Sequence, residues 1–351
     1  MFLALKEILY NKGRYRLVIG VILLVTYMIF FLSSLSNGLS RSNRLVIENW
    51  QAKSVVVSDF ANDSLTSSMI KNEDYKDLLN DNIVEVGQLS VVINKENDKK
   101  INTSIFGIDF SSFVSPKIVE GRTVEKDGEL VIDKKITASG INLNDKIQIN
   151  GSEKQYTVVG FTENNSFFTQ PAVFMSLADF REIKYDSSDQ KYSNILVIKD
   201  DTTIEKINLK QISIETLITN IPEYKAQLLT FNFMIGAMVI ITFLVLAIFM
   251  YIITIQKINL YGIMRAQGIS TKAIILSIFY QIFILVAVGV FLSLILILVT
   301  SYILPANLPF YSSWATYIIL SIVVLAMSLI GGILSIRKVV KIDPIIAIGG
   351  E

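Results

Sequence analysis

The chain has 351 residues, 52% of them hydrophobic, and its 32 basic and 31 acidic side chains leave a formal charge of +1. It contains no cysteine and no histidine, which excludes disulfides, thiolate or imidazole zinc sites and histidine-based acid–base catalysis. The sequence also lacks a GxxxxGK[ST] P-loop for ATP. We therefore expect no catalytic residues, no metal, no intrinsic cofactor and no nucleic-acid partner. The chain is not expected to be an enzyme.

Four long apolar runs without any charge are the main feature of the chain, and they occupy residues 17–36, 228–255, 273–304 and 317–336. A helix of about 20 apolar residues is long enough to cross a bilayer. The runs therefore predict four transmembrane helices in a one-plus-three arrangement. A cleaved signal peptide is the alternative for the first run. That run exceeds the usual h-region of about 7–15 residues, and no small-residue cleavage site follows it.

The basic residues predict the orientation of the helices. The segments 1–16, 256–272 and 337–351 together hold ten basic and three acidic residues, whereas the loop 305–316 has no charge. Short loops rich in Lys and Arg lie on the cytoplasmic side. We therefore expect a multi-pass protein of the cell (plasma) membrane with both termini in the cytoplasm. The apolar and basic pattern of 1–16 predicts an interfacial helix on the inner leaflet, or alternatively the start of the first span.

Residues 37–227 form the large segment between the first two spans, and we expect them to lie outside the cell as two stalks and an α+β domain. Short β-branched or aromatic runs bounded by Gly, Asn and Asp predict strands. These runs lie at 55–57, 84–93, 101–106, 129–132, 146–149, 155–161, 172–175 and 195–198. Helices are predicted at 62–80 and 176–183, and an amphipathic helix at 203–230 leads into the second span.

Three segments of the chain resemble one known family. Residues 120–160 contain a Gly-Arg pair, an ELVI strand and a YTVVG strand; residues 257–268 read KINLYGIMRAQG, and residues 341–350 read KIDPIIAIGG. They resemble the extracytoplasmic core domain, the inner loop and the carboxyl terminus of the MacB/FtsX-like ABC transporter permeases. The resemblance implies a membrane α-helical fold, four helices as one plus three, with an extracellular α+β MacB-like core domain.

The same resemblance implies partners and a coupling segment. Permeases of this class form a homodimer in the lipid membrane, bind two copies of a separate ABC ATPase, and transmit the movement of the ATPase to the outside. The segment 256–272 corresponds to the loop that receives this movement. The candidate ATPase-coupling residues are Lys257, Tyr261, Gly262, Arg265 and Gly268.

The length and the compact outer domain resemble the small Gram-positive haem-exporter permeases of this family. This implies efflux of a hydrophobic or amphipathic substrate, with haem favoured as the transported molecule. Without histidine or cysteine, haem iron would need a Tyr, Met or carboxylate ligand. The candidate substrate-binding residues near the outer ends of the first two spans are Tyr27, Met28, Phe31, Glu48, Trp50, Phe231 and Met234. Two alternatives remain open at this point. One is a transmitter of force or signal to an extracellular partner such as a cell-wall hydrolase, and the other is an exporter or sensor of antimicrobial peptides.

The charge pattern generates a first prediction, on topology. A reporter fused after Gly151 should be active only outside the cell, and one fused after Gly268 only in the cytoplasm, because basic loops stay inside. Paired alkaline phosphatase and fluorescent-protein fusions measure this. A cytoplasmic Gly151 fusion would refute the four-span topology.

Overall fold

The computed structural model describes residues 2–10, 12–95, 99–150, 152, 154–186, 189, 192–305 and 308–340. The C-terminal segment 341–350, which carried part of the family resemblance, lies outside the described residues. The chain divides into two compact units. The membrane unit comprises Met1–Asn37, Leu229–Pro305 and Phe310–Glu351, and the globular unit comprises Gly38–Leu228 and Ala306–Pro309.

Ten α-helices and thirteen strands are present in the described part of the chain. The helices are α1 Phe2–Tyr10, α2 Lys12–Ser42, α3 Leu45–Asn49, α4 Asn72–Tyr75, α5 Leu177–Tyr185, α6 Ile214–Thr219, α7 Tyr224–Gln256, α8 Ile258–Ala266, α9 Thr271–Ile303 and α10 Trp314–Val340. The strands are β1 Ser54–Ser58, β2 Ile70–Lys71, β3 Ile83–Lys95, β4 Lys99–Ile108, β5 Ile118–Gly121, β6 Glu129–Asp133, β7 Lys146–Ile149, β8 Gln155–Thr162, β9 Ser166–Phe167, β10 Gln170–Ser176, β11 Tyr192–Ser193, β12 Ile195–Ile198 and β13 Leu209–Ser213.

Four helices of the membrane unit, α2, α7, α9 and α10, are long and apolar enough to cross a bilayer. Helices can do so because all of their backbone hydrogen bonds are made within the segment. Their buried faces form one apolar core around Ile22, Phe30, Ile282 and Val286. Helix α9 approaches α2 closely at Gly289, where a Cβ would collide with the side chain of Ile22.

The globular unit is built around a closed ring of six strands in the order β3-β4-β10-β6-β8-β7, with β7 returning to β3. The β4–β10 and β6–β8 pairs are parallel and the other pairs of the ring are antiparallel. Each of the six strands contributes to one apolar core that includes Ile93, Ile105, Ile132, Ile147 and Val173. Side chains of successive residues point to opposite faces of a strand, so Phe106 and Phe174 lie in a second core.

Beyond the ring, the sheet continues from β3 through β12 and β1 to the edge strand β13. At the junction, Gly87 of β3 lies opposite Gly107 of β4, and the ring of Phe180 packs directly over both. A Cβ at either glycine would collide with Phe180. The two glycines therefore let α5 pack against the sheet.

The segment 120–160, which resembles the family, contains a structural ion pair in this unit. Arg122 donates two hydrogen bonds to the buried Glu129, at 2.7 and 2.6 Å, and this contact lowers the pKa of Glu129 to about 2. Gly121 has a φ of 79°, and a Cβ on Gly160 would collide with the carbonyl of Arg122. The glycines permit the close approach of β5 to β8, and the ion pair connects the end of β5 to the first residue of β6.

The predicted fold class is confirmed, with four candidate membrane helices and a mixed α/β domain. Two local predictions were wrong. The helix expected at 203–230 is interrupted by β13, which pairs with β1 over five residues, because a long-range ladder overrides helical periodicity. The helix expected at 62–80 is reduced to α4, because Asn62 and Asp63 adopt left-handed conformations at its start and Ile70–Lys71 form strand β2, which pairs with β11.

Candidate functional site

The predicted coupling segment folds as the short helix α8 between α7 and α9. It ends in a Schellman motif, in which Ile269 N–H donates to Met264 O and Gly268 N–H to Arg265 O, both at 3.0 Å. Gly268 has a φ of 90°, which glycine adopts without strain. Ser270 then caps α9 by accepting a hydrogen bond from Ala273 N–H. The segment Gly268–Ser270 therefore forms a tight turn between α8 and α9.

The start of α8 is anchored by a network of polar side chains inside the membrane unit. The Lys257 ammonium forms an ion pair with Glu7 of α1 and donates a hydrogen bond to the Tyr15 hydroxyl of α2 at 2.8 Å. Gln281 of α9 donates to the same Glu7 carboxylate and accepts from Tyr15 at 3.4 Å. The Lys257 and Glu7 side chains are only 12% and 15% exposed. The network thus ties α1, α2 and α9 to the junction of α7 and α8.

The five candidate coupling residues therefore have different surroundings. Lys257 faces the internal network, and Tyr261 and Gly262 are buried on the inner face of α8. Arg265 is half-buried, and Gly268 is exposed at the corner. The outward face of α8 instead presents Leu260 and Ile263, both largely exposed. An exposed apolar stripe on a short helix is a surface that another protein or the bilayer can cover.

Three of the candidate substrate residues lie on α2. The rings of Tyr27 and Phe31 are 6.1 Å apart, and Phe31 also contacts Phe310 at 5.7 Å. The Tyr27 hydroxyl is 3.2 Å from the Thr300 hydroxyl of α9. Met28 is 40% exposed. Tyr27 and Phe31 are thus partly committed to helix packing, while Met28 is available at the surface of the helix.

On α7, Met234 is also 40% exposed and Phe231 is half-buried. Phe233, between them, is the most exposed of the three. The N-terminal part of α7 therefore presents a flexible thioether and aromatic rings on its surface, as α2 does with Met28. Such side chains adapt to irregular apolar partners.

The remaining two candidates belong to the globular unit. Glu48 lies at the end of α3 and forms an ion pair with Arg44, one turn earlier, at 3.1 Å. Trp50 is 2% exposed and packs edge-on against Phe106 at 6.4 Å, inside the apolar core. The structure thus assigns Glu48 to a local pair on a helix and Trp50 to the core.

Sequence reasoning missed three members of the polar network, namely Glu7, Tyr15 and Gln281. A signal was available for two of them. Glu7 is the single acidic residue before the first span, and Gln281 is a polar amide in the middle of an uncharged apolar run. Polar side chains at such positions usually pair with one another inside the bundle.

Residues 232–344 match the FtsX-like permease C-terminal family. Over 355 residues, covering 100% of this chain and 99% of the relative, the sequence is 30% identical to a Staphylococcus haemolyticus (strain JCSC1435) protein named for hemin transport, the permease HrtB. The protein of the same name from Staphylococcus epidermidis (strain ATCC 35984) is 30% identical over 356 residues, with the same coverage of both chains.

Among solved structures, the periplasmic region of MacB from Actinobacillus actinomycetemcomitans is similar to 48% of this chain. The match covers 92% of that region, with 14% identity and a TM-score of 0.35.

The chain belongs to the FtsX-like permeases of ABC transporters, which are membrane transport subunits, and membership of this class implies a partner ATPase. Within the class, it is similar over its whole length to the staphylococcal HrtB proteins.

The polar network generates a second prediction. Lys257→Met should destabilise the protein by about 3 kcal/mol, because it leaves the buried Glu7 carboxylate without its cation. Thermal unfolding of the purified protein in detergent measures the effect. Lys272→Met removes an exposed lysine 15 positions further along and serves as the matched control. The double variant Glu7→Gln/Lys257→Met should recover part of the loss. Equal effects of Lys257→Met and Lys272→Met would show that the network does not stabilise the bundle.

Proposed function

We propose that this protein is the permease subunit of an ABC-type efflux pump that exports haem. The observation that carries the proposal is the 30% identity along the entire chain with HrtB proteins named for hemin transport. The absence of a P-loop sequence supports the assignment of ATP hydrolysis to a separate chain. The excess of basic residues in 1–16, 256–272 and 337–351 supports a plasma-membrane topology with cytoplasmic termini and an extracellular globular unit.

The working assembly is a homodimer of this chain with two ATPase subunits. Helix α8 is the element that receives the ATPase, because it presents Leu260 and Ile263 outward while Tyr261 is buried behind them. The Lys257–Glu7 network makes this helix a rigid extension of the bundle rather than a loose loop. A displacement of α8 is then passed to α1, α2 and α9 together. Such coupling needs two arrangements of the bundle that ATP binding biases.

The transported molecule binds to the surface of the membrane unit around Met28 of α2 and Met234 of α7. Met28 and Met234 supply exposed thioethers, which can ligate haem iron. The Tyr27–Phe31 pair supplies aromatic rings, and flat rings stack on a flat macrocycle. This chemistry suits a planar apolar cargo that leaves from the outer leaflet.

The third prediction concerns the ATPase. Arg265→Glu should reduce co-purification of the ATPase subunit about tenfold, since a reversed charge at a protein interface costs affinity. Quantitative pull-down from membranes measures it. Lys146→Glu makes the same charge change on the exposed face of β7 and should have no effect. Equal recovery of the ATPase with wild type and Arg265→Glu would refute a contact at this residue.

The fourth prediction concerns haem. The purified protein should give a Soret band with hemin, and cells that express it with its ATPase should tolerate more hemin than cells with an empty vector. Met28→Ala should shift the band and lower the affinity about tenfold, because an iron ligand is lost. Leu24→Ala is the matched control, since Leu24 lies one turn earlier, is also exposed, and cannot ligate iron.

Absence of both the spectrum and the tolerance in the wild type would refute haem export. If the ATPase still bound in that case, transmission of force to an extracellular partner would become the better description of the protein.

A further inference from the structure

A cavity of about 510 Å³ lies beside the end of α3 in the globular unit. The segment 113–117 after β4, the turn 163–165 after β8 and Lys199 after β12 complete its walls. Sites for small molecules commonly have volumes of about 300–1,000 Å³. Trp50 and Phe174 also line the cavity, but they are 2% and 1% exposed and belong to the apolar core. An occupant would therefore meet mainly the polar side chains of the rim.

Five side chains of this rim carry hydrogen-bond donors that have no hydrogen-bond or ion-pair partner in the described part of the chain. They are Gln51, Ser115, Lys117, Asn164 and Lys199. The Lys199 ammonium does contact an aromatic ring, that of Phe113, at 5.6 Å from the ring centre. Unused donors that come from four separate pieces of chain and surround one cavity favour an occupant rich in oxygen atoms.

The charges of the rim favour a negatively charged occupant. Lys117 and Lys199 are both exposed, and the one acidic residue among the described residues that line the cavity is Glu163. Lys199 also borders a second cavity, lined by Asp81 and Asp109, but neither of these acids lines the first. No carboxylate of the described residues lies within ion-pair distance of either lysine. Ammonium groups form strong, charge-assisted hydrogen bonds with carboxylate and phosphate oxygens.

Hydrogen bonds hold the rim in place. The Asn49 amide donates to Asn164 O at 2.9 Å and to Asn165 Oδ1 at 3.0 Å. Asn165 N–H in turn donates to the buried Asp133 carboxylate at 2.6 Å. The turn 163–165 is thereby connected to α3 and to the end of β6. A rim that is already fixed loses less conformational entropy when a ligand binds.

We propose that this cavity binds a small hydrophilic oxyanion, namely a molecule that carries a phosphate or carboxylate group together with hydroxyl groups. Lys117 and Lys199 bind the anionic group, and Gln51, Ser115 and Asn164 bind the hydroxyl oxygens. This chemistry is opposite to that of the apolar cargo proposed for the membrane unit. The globular unit would therefore have a ligand of its own, and the inference does not depend on haem export.

The test is titration calorimetry of the full-length protein in nanodiscs of zwitterionic lipid, with empty nanodiscs as the blank. The probes are glucose 6-phosphate, gluconate and uncharged glucose, so the phosphate and carboxylate chemistries are measured separately. At least one of the two anions should bind saturably, and glucose should bind at least tenfold more weakly because it lacks the charged group. Added sodium chloride should weaken binding of the anion. The bare ions, inorganic phosphate and acetate, should bind more weakly than the corresponding hydroxylated anions, because they lack the hydroxyl groups.

Three variants relate the binding to this cavity. Lys117→Gln/Lys199→Gln should weaken the affinity about tenfold, because two charge-assisted contacts are lost. Lys71→Gln/Lys146→Gln makes the same change in net charge at two exposed lysines outside the cavity, and should leave the affinity unchanged. Glu163→Gln should tighten binding about threefold, because it removes the acidic group of the rim. A folding defect does not produce tighter binding, so this variant separates a loss of contacts from a loss of structure.

Saturable binding of a hydroxylated anion that follows this order of variants supports the site. The proposal is overturned if neither anion binds, if glucose binds as tightly as the anions, or if the two double lysine variants behave alike. Bare phosphate or acetate binding as tightly as its hydroxylated counterpart would also overturn it, since the cavity would then hold an adventitious ion only. Hemin is not a component of these titrations, so failure of haem export and failure of this site are observed independently.

Discussion

A charged side chain inside a helix bundle must find a partner, because hydrocarbon offers it none. In the described part of this protein, the Lys257 ammonium meets that constraint through the Glu7 carboxylate. The pair is completed by Tyr15 and Gln281, so four polar groups from four parts of the chain satisfy one another. This contact connects the start of α8 with α1, α2 and α9. A family signature in the inner loop would not reveal it, since three of its members lie elsewhere in the sequence.

In the globular unit, too, a buried charged side chain is paired with an opposite charge. One of its buried carboxylates, that of Glu129, is held by Arg122, and the low pKa of Glu129 keeps the pair charged at physiological pH. Gly121 and Gly160 lie where β5 approaches β8 so closely that a Cβ atom would collide with the backbone. The residues that identify the family in this domain are therefore those that build it. Their presence in a sequence therefore indicates the fold rather than the substrate.

Much of the architecture could be predicted from the sequence because it depends on local patterns. In lipid, the backbone N–H and C=O groups of an uncharged run such as 273–304 find partners by forming a helix. The β-branched run 195–198 formed strand β12 as expected. The failures came where distant partners decided the outcome. Residues 209–213 have helical spacing of apolar side chains, yet they pair with β1 about 150 residues earlier. Trp50 follows a membrane stalk in sequence, but its aromatic partner is Phe106 of β4. For the candidate site, residue type predicted Met28 and Met234 together with Tyr27 and Phe31, and only the structure distinguishes the exposed methionines from the partly packed rings.

The closed ring of six strands has a mechanical consequence. A strand at an open edge can be peeled away one hydrogen bond at a time, but a strand in a ring is bonded on both sides. Pulling on any one of β3, β4, β10, β6, β8 or β7 must therefore load two ladders at once. The extension β12-β1-β13 has no such closure and ends at the five-residue strand β13. Under tension along the chain, this extension is the compliant part of the domain and the ring is the stiff part. The extension next to α6 would therefore deform before the residues of the ring.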